Sequence, residues 1–165
     1  MALMVALGGM LGMCGVVVGL AAVGASAGDE PAGVLVGDQV PQKTIDALKA
    51  KKLLSAEEMV LAFHDQTVRL DMSEVTFVTK SRVVYAKGNK VSAVALADVS
   101  KITHRSGPLG IDLVDLVTKD GKSLHIEIAP LNGGESYVDA IEDGWRIHFP
   151  EASVTRATKP AQKRP

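Results

Sequence analysis

The sequence has little of what most enzymes and nucleic-acid-binding proteins use. Its 165 residues include one cysteine, and its four histidines are scattered along the chain. A single thiol can neither close an internal disulfide nor build a cysteine zinc site. The net charge is −1, and no cationic cluster appears before the carboxyl-terminal tail. Because phosphate binding needs such a cluster, we expect no nucleic-acid partner.

Catalytic motifs are also missing. The sequence has no HExxH spacing, nucleophile elbow or phosphate-loop lysine pattern. His125 and Glu127 share one face of a predicted strand, but two ligands do not make a catalytic zinc site. His64 and Asp65 are adjacent, so on a strand they point to opposite faces, and we expect both to be solvated. The sequence therefore predicts a protein that is not an enzyme and uses no cofactor or metal.

Aromatic residues are scarce, with three Phe, two Tyr and one Trp. The core must therefore rest on Val, Leu, Ile and Ala, which suits thin β-sheets with one helical cover. Tyr137, Val138, Ile141 and Trp145 recur at helical spacing and predict that cover. Trp145 is predicted to pack in the core rather than to bind a ligand.

The first 28 residues contain no charged side chain. A helix over residues 2–27 exceeds the roughly 20 residues that cross a bilayer, so we predict a transmembrane helix there. Four glycines line one face of it and suit packing against a second helix, including a homo-oligomeric partner: Gly8, Gly12, Gly15 and Gly19. Glycine and alanine are also common in membrane helices that have no such role.

A cleaved signal peptide is the alternative for this segment. The triplet 25–27 has the small-x-small pattern of a cleavage site after Ala27, which would give an exported protein. The missing basic leader and the length of the apolar run favour a retained single-pass anchor in the cell membrane. Four lysines follow the segment, and by the positive-inside tendency they predict a cytoplasmic domain: Lys43, Lys49, Lys51 and Lys52.

The remaining residues are predicted to form one mainly β domain with a capping α-helix. Residues 28–39 are interpreted as a linker, and a short helix is predicted from Pro41 to about Leu54. Seven short β-type runs follow, which is typical of a sandwich or barrel: Met59–His64, Glu74–Thr79, Arg82–Ala86, Lys90–Leu96, Ser100–Arg105, Ile111–Thr118 and Ser123–Ile128.

Two turns and the tail complete this description. The turns at residues 87–89 and 120–121 favour positive φ and predict antiparallel hairpins. The loop from Ser106 to Ile111 is predicted to be exposed, as recognition loops often are. Residues 150–165 lack an apolar period and are interpreted as a disordered basic tail.

Three segments resemble the pleckstrin-homology-like (PH-like) domains of bacteria. They are 55–63, 78–85 and 94–102, and the motif positions are Glu58, Thr79, Arg82, Leu96, Asp98 and Ile102. The similarity covers about Val40 to Trp145, and its motifs are structural in character. The resemblance implies a seven-stranded barrel or sandwich within residues 40–149 that acts as a compact interaction or lipid-surface module. The early strand loops carry no dense basic cluster, which argues against phosphoinositide-type head-group binding.

Two functional hypotheses follow. In the first, a tethered non-catalytic PH-like module holds a peptide, a protein or a lipid surface near the membrane, through an open sheet edge or the Ser106–Ile111 loop. In the second, the glycine-striped helix mediates oligomerisation, and the protein has a structural or assembly role. The sequence does not identify the ligand.

Overall fold

A computed structural model describes residues 33–157. The fold is mainly β, with two sheets and two α-helices in that range. The elements in chain order are β1 Val34–Val36, α1 Gln42–Ala50, β2 Val60–Asp65, β3 Glu74–Thr79, β4 Arg82–Lys87, β5 Lys90–Ala95, β6 Val99–Ser106, β7 Asp112–Thr118, β8 Ser123–Ile128, α2 Gly134–Arg146 and β9 Thr155–Ala157. The first sheet has the order β1-β2-β3-β4-β5, and the second has the order β8-β7-β6-β9.

The seven predicted strands are confirmed as β2 to β8, and both predicted hairpins are antiparallel. The strands of the described region form two separate sheets and no closed barrel. The two predicted helices are also present, as α1 and α2. The helix α1 is shorter than predicted, because Lys52 adopts a positive φ of 57° and the amide of Leu53 turns back to the Leu48 carbonyl at 2.9 Å.

The predicted linker and tail are wrong where they contain strands. Strand β1 lies inside residues 28–39, because a three-residue apolar run pairs with β2 and buries Leu35. Strand β9 lies inside residues 150–165 and pairs in parallel with β6. An ion pair holds it there, since Arg156 Nη1 donates to Glu142 Oε2 at 2.8 Å and Arg156 Nη2 to Asp139 Oδ1 at 2.7 Å.

The first sheet is covered on both faces. One face packs with α1 in a cluster that contains Leu48, Phe63 and Phe77. The other face packs with α2 and the second sheet in the larger cluster, which contains Trp145, and this confirms Trp145 as a core residue. Helix α2 approaches closely at Gly144, where an added Cβ would lie 3.1 Å from the Thr79 carbonyl oxygen and 2.7 Å from Leu96 Cδ1.

The predicted transmembrane helix at 2–27, with Gly8, Gly12, Gly15 and Gly19, lies outside the described residues. Neither helix within residues 33–157 is both long enough and apolar enough to cross a membrane.

Candidate functional site

Four loops and the start of β1 meet at one end of the domain, which we call the loop end. It comprises Gly33 and residues 66–73, 88–89, 107–111 and 129–133. Strand register brings them together, because Val34 pairs with His64, Glu74 with Lys87, and Asp112 with Ile128. The amide of Val34 also donates to the Asn132 carbonyl at 2.7 Å. The first described residue, Gly33, therefore lies at the same end of the domain as these loops.

Three loops of the loop end each present an aliphatic side chain to solvent. Val68 and Leu131 are fully exposed, and Leu109 is 91% exposed. Leu109 and Leu131 also hold positive φ angles, of 57° and 67°. A left-handed conformation costs a residue with a Cβ roughly 1–2 kcal/mol, and such strain clusters at functional sites. Two leucines thus occupy strained positions while contributing almost no burial.

The β2–β3 loop is held by one carboxylate. Asp65 Oδ1 accepts the amide of Thr67 at 2.8 Å, and Asp65 Oδ2 accepts the amide of Met72 at 2.8 Å. Asp65 and His64 are both buried. The prediction that these two side chains are solvated is wrong. It assigned them to opposite faces of a strand but missed that both faces of this sheet are covered.

Charges at the loop end are mixed. Arg69 and Asp71 lie in the loop 66–73, and Lys90 and Glu127 lie beside these loops at the ends of β5 and β8. Lys87 Nζ is 2.8 Å from Glu74 Oε2. Tyr85 donates its hydroxyl to Glu74 Oε1 at 2.5 Å, and desolvation together with this carboxylate raises the pKa of Tyr85 to about 12. The loop end therefore does not present a surface of one sign.

A cavity of about 240 Å³ opens between these loops. It is lined by His64 and Gln66 from β2 and its extension, by Ile111 from the loop 107–111, by Glu127 from β8, and by residues of the loop 129–133. His64 Nδ1 and Gln66 Nε2 are both buried, and neither has a hydrogen-bond partner among the described residues. Desolvation lowers the pKa of His64 and outweighs a hydrogen bond with the Gly33 backbone, which raises it, so the imidazole is neutral at pH 7.

The six positions on which the predicted PH-like resemblance rests lie at the opposite end, where β2 and β4 begin and β3 and β5 finish. We call this the motif end: residues 55–59, 79–82, 96–98 and 118–122. Arg82 Nε donates to Glu58 Oε1 at 2.7 Å, and Arg82 Nη2 donates to Glu58 Oε2 at 2.6 Å. Thr79 Oγ1 accepts the amides of Ser81 at 3.2 Å and Arg82 at 3.1 Å. This network joins the entry of β2 to the β3–β4 turn.

The remaining motif positions are split between core and surface. Leu96 and Ile102 are buried in the larger core, on either side of an exposed corner at Asp98. The Asp98 carbonyl accepts the amide of Lys119 at 2.8 Å. The hydrogen bond from Arg82 holds the pKa of Glu58 down at about 2. The six positions therefore fix the fold at the motif end, and none of them lines the cavity of the loop end.

His125 lies between two carboxylates on the second sheet. Its Nδ1 is 2.6 Å from Asp115 Oδ1, and its Nε2 is 3.2 Å from Glu127 Oε1. The hydrogen bond with Asp115 raises the pKa of His125. Within residues 33–157, no group of three His, Cys, Asp or Glu side chains has the geometry to hold a metal ion.

Strand β5 is a second accessible feature. It is an edge strand of the first sheet, and Lys90 to Ala93 and Ala95 are exposed. A groove of about 330 Å³ runs beside residues 93–95 and is walled on the other side by residues 118–122. The amide of Leu96 donates to the Ser81 carbonyl at 2.8 Å, so by antiparallel alternation the amides of Val91, Ala93 and Ala95 point away from β4.

Only part of the loop end was predicted from the sequence. The exposed loop around Gly107-Pro108-Leu109-Gly110 was predicted, whereas Val68, Leu131 and the cavity were not. A bulky aliphatic residue inside a turn-forming segment is the signal that Leu109 and Leu131 share.

No protein-family model matches the chain, and no curated protein matches it.

Proposed function

We propose that the chain is a membrane-tethered, non-catalytic interaction module of the PH-like type, and that its loop end rests against the bilayer. One observation carries this proposal. Val68, Leu109 and Leu131 are exposed on three loops at the end of the domain that contains Gly33, five residues after the uncharged residues 1–28. A helix that ended near residue 28 would hold these loops closest to the membrane.

The energetics suit docking that depends on the tether. Full burial of one aliphatic side chain contributes about 1.5–3 kcal/mol, so three loop tips contribute at most about 4.5–9 kcal/mol. Immobilising a free domain at the bilayer costs a comparable amount, which leaves little net affinity from free solution. A covalent tether makes the contact intramolecular and raises its effective concentration to the millimolar range. Weak aliphatic contacts are then sufficient to orient the domain.

The mixed charges of the loop end predict little dependence on anionic lipid. Arg69 and Lys90 attract such lipids, while Asp71 and Glu127 repel them. The order of strands β2 to β8 followed by α2 supports the PH-like assignment, because the resemblance implies that order.

The test is a set of single cysteines in the full chain with Cys14→Ala, each labelled with a polarity-sensitive dye in phosphatidylcholine nanodiscs. Cysteines at 68, 109 and 131 are compared with controls at two exposed hydrophobic residues away from the loop end, Met59 at the motif end and Ile147 at the carboxyl end of α2. We expect blue-shifted emission for the first group only. Equal emission at all five positions would exclude docking by the loop end.

The tether itself is tested separately by the mass of the native amino terminus. A mature protein that begins at Gly28 would remove the anchor and leave an exported domain. A product retaining residues 1–27 would agree with the proposal.

A second candidate function is the binding of an extended peptide along β5. Six residues long, β5 carries no proline and one lysine, and an edge of this kind readily accepts another strand. By contrast, β8 is also an edge strand, but its exposed face carries His125 and Glu127.

A matched pair of proline variants tests the β5 edge. The amide of Ala93 points outward and that of Ser92 points toward β4, so Ala93→Pro should weaken binding about tenfold without unfolding the sheet. Ser92→Pro should instead destabilise the fold. The probe is a displayed library of random peptides, selected against the full chain in micelles. Selected peptides that bind Ala93→Pro as tightly as the parent would exclude this edge.

A further inference from the structure

We propose that the groove between α2 and the first half of β2 binds a basic, amphipathic helix of another protein. The groove has a volume of about 330 Å³ and is lined by Val36, Leu61, Ser136, Asp139, Ala140 and Asp143. It follows α2 along the side of the domain, from the loop end toward the motif end. The proposal therefore goes beyond bilayer docking and does not depend on it.

The groove exists because β1 is short. Its last residue, Val36, pairs with Ala62, and in the described part of the chain no strand pairs with this edge of β2 before that point. Helix α2 lies against the uncovered part, since a Cβ added at Gly144 would be 3.6 Å from Leu61 Cδ1. One side of α2 therefore remains open beside the start of β2.

Two large apolar side chains extend the groove to the motif end. Ala140, Asp143 and Ile147 recur at i, i+3 and i+7, which places them on one side of the helix. Ile147 is 57% exposed, although its backbone is still helical at φ −60° and ψ −35°. On the other wall Met59 is 62% exposed, and it points toward α2 because its neighbour Val60 packs on the α1 side.

The rim of the groove is acidic. Asp139 and Asp143 line it, and no lysine or arginine among the described residues does so. Asp143 has no hydrogen bond or ion pair within residues 33–157. Arg156 donates to Oδ1 of Asp139 from the side of α2 that carries Glu142. The groove therefore suits apolar side chains flanked by lysine or arginine, and it repels anionic lipid.

Other occupants lack one of these features. A strand added to β1 is excluded, because the amide of Val34 donates to the Asn132 carbonyl at 2.7 Å and the next outward amide, that of Val36, donates to a glutamine side chain at 3.2 Å. Residues 158–165 supply cations but no aliphatic side chain larger than alanine or proline. Helix α1 of a second copy is basic, but its apolar side is buried in its own domain.

The length of the groove defines the partner's size. The open side of α2, residues 136–147, is about 16 Å long, which matches three turns of a second helix. Apolar side chains at helical spacing on the partner enter between α2 and β2, while cations beside them reach Asp139 and Asp143.

The test is methyl NMR of the full chain in phosphatidylcholine nanodiscs, observed at Val36, Leu61 and Ala140. The probe is a capped peptide of about 14 residues with leucine at i, i+4, i+7 and i+11 and with lysine and alanine elsewhere. One control peptide scrambles this order, and another replaces every lysine by glutamate. We expect saturable shifts with the probe, about tenfold weaker binding of the scrambled peptide, and no shifts with the acidic peptide.

Two variants test the acidic and the apolar part separately. Asp143→Lys should weaken binding of the probe about tenfold, whereas Asp46→Lys, at an exposed aspartate on α1, should leave it unchanged. Ile147→Thr should weaken binding about fivefold, because less aliphatic surface is buried. Val91→Thr on β5 is its matched control, since Val91 is 53% exposed and distant from α2 in the sheet order.

The proposal is overturned if the probe gives no saturable shift, if the scrambled or acidic peptide binds equally well, or if either Asp143→Lys or Ile147→Thr binds like the parent. Removing residues 158–165 could shift the same methyl groups without peptide, which would assign the groove to the tail and overturn the proposal too. Shifts that appear without peptide when two chains share a nanodisc would assign it to a second copy, with the same consequence. Dye emission at positions 68, 109 and 131 does not report on this groove, so bilayer docking and helix binding fail separately.

Discussion

The two ends of the domain treat their polar and apolar groups in opposite ways. At the motif end, Glu58 and Arg82 form a two-point ion pair, and the surrounding hydroxyls and amides are hydrogen-bonded to them. Three buried nitrogens have no hydrogen-bond partner among the described residues: His64 Nδ1 and Gln66 Nε2 at the loop end, and Trp145 Nε1 in the larger core. The loop end is also where leucines lie exposed to solvent at strained backbone positions. Polar groups that are all hydrogen-bonded stabilise a fold, whereas unsatisfied polar groups and backbone strain indicate a surface that contacts a binding partner.

The two ends of the six-residue strand β2 show the same contrast. Its start follows Glu58, whose carboxylate also accepts the Ser55 amide at 3.0 Å. Its other end leads into His64 and Gln66 at the cavity. The residues that resemble the PH-like motif thus lie where the chain needs stability. The residues best suited to binding lie about one strand length away, and the motif does not include them.

The largest expected effect is at the motif end. Glu58→Ala should lower the free energy of unfolding by about 2 kcal/mol, between the small value of an exposed ion pair and the 3–5 kcal/mol lost when a buried pair is broken. The substitution leaves the Arg82 guanidinium and the Ser55 amide without their partner. The measurement is urea unfolding of the full chain in micelles, followed by the signal of Trp145.

The matched control is Glu57→Ala, one residue earlier and exposed. It should change the free energy of unfolding by less than about 0.5 kcal/mol. If Glu58→Ala were equally mild, the ion pair would not stabilise the motif end, and the contrast between the two ends would fail.

A smaller effect is expected from pH. The Arg82 hydrogen bond lowers the pKa of Glu58 from 4.5 to about 2 in the folded state. A depressed folded-state pKa means that the stabilisation is fully present above pH 4.5 and is lost as the pH falls from about 4.5 toward 2. Glu58→Gln should therefore lose less stability than the parent over this range. Parallel pH curves for the two proteins would contradict the assignment.

Much of the fold could be predicted from the sequence, because local signals decide it. Alternating apolar residues and glycine-containing turns specified β2 to β8, and helical spacing specified α2. The two three-residue strands were missed for a different reason. Val34–Val36 and Thr155–Ala157 are too short to show a period, and they become strands only because β2 and β6 offer a free edge to pair with.

The candidate site was less predictable. Cavities form where residues distant in sequence meet, here residues 64, 66, 111 and 127. Nothing local to His64 indicates that a second sheet covers it. Leu131 is likewise an ordinary residue in sequence, and only the backbone reveals that it occupies a left-handed conformation at φ 67°.

The smallest expected effect is also the one that separates the two ends most directly. Leu131→Asn should raise the free energy of unfolding by up to about 1 kcal/mol, because asparagine tolerates the left-handed region better than leucine and no burial is lost. Met59→Asn, at an exposed position of the motif end without positive φ, should give no such gain. In nanodiscs, Leu131→Asn should at the same time weaken docking, seen as a smaller blue shift of the dye at position 109. A leucine whose removal improves the fold and impairs contact with the bilayer is retained for that contact. If Leu131→Asn destabilised the domain instead, the leucine side chain would contribute to folding stability. The proposed difference between the loop end and the motif end would then be contradicted.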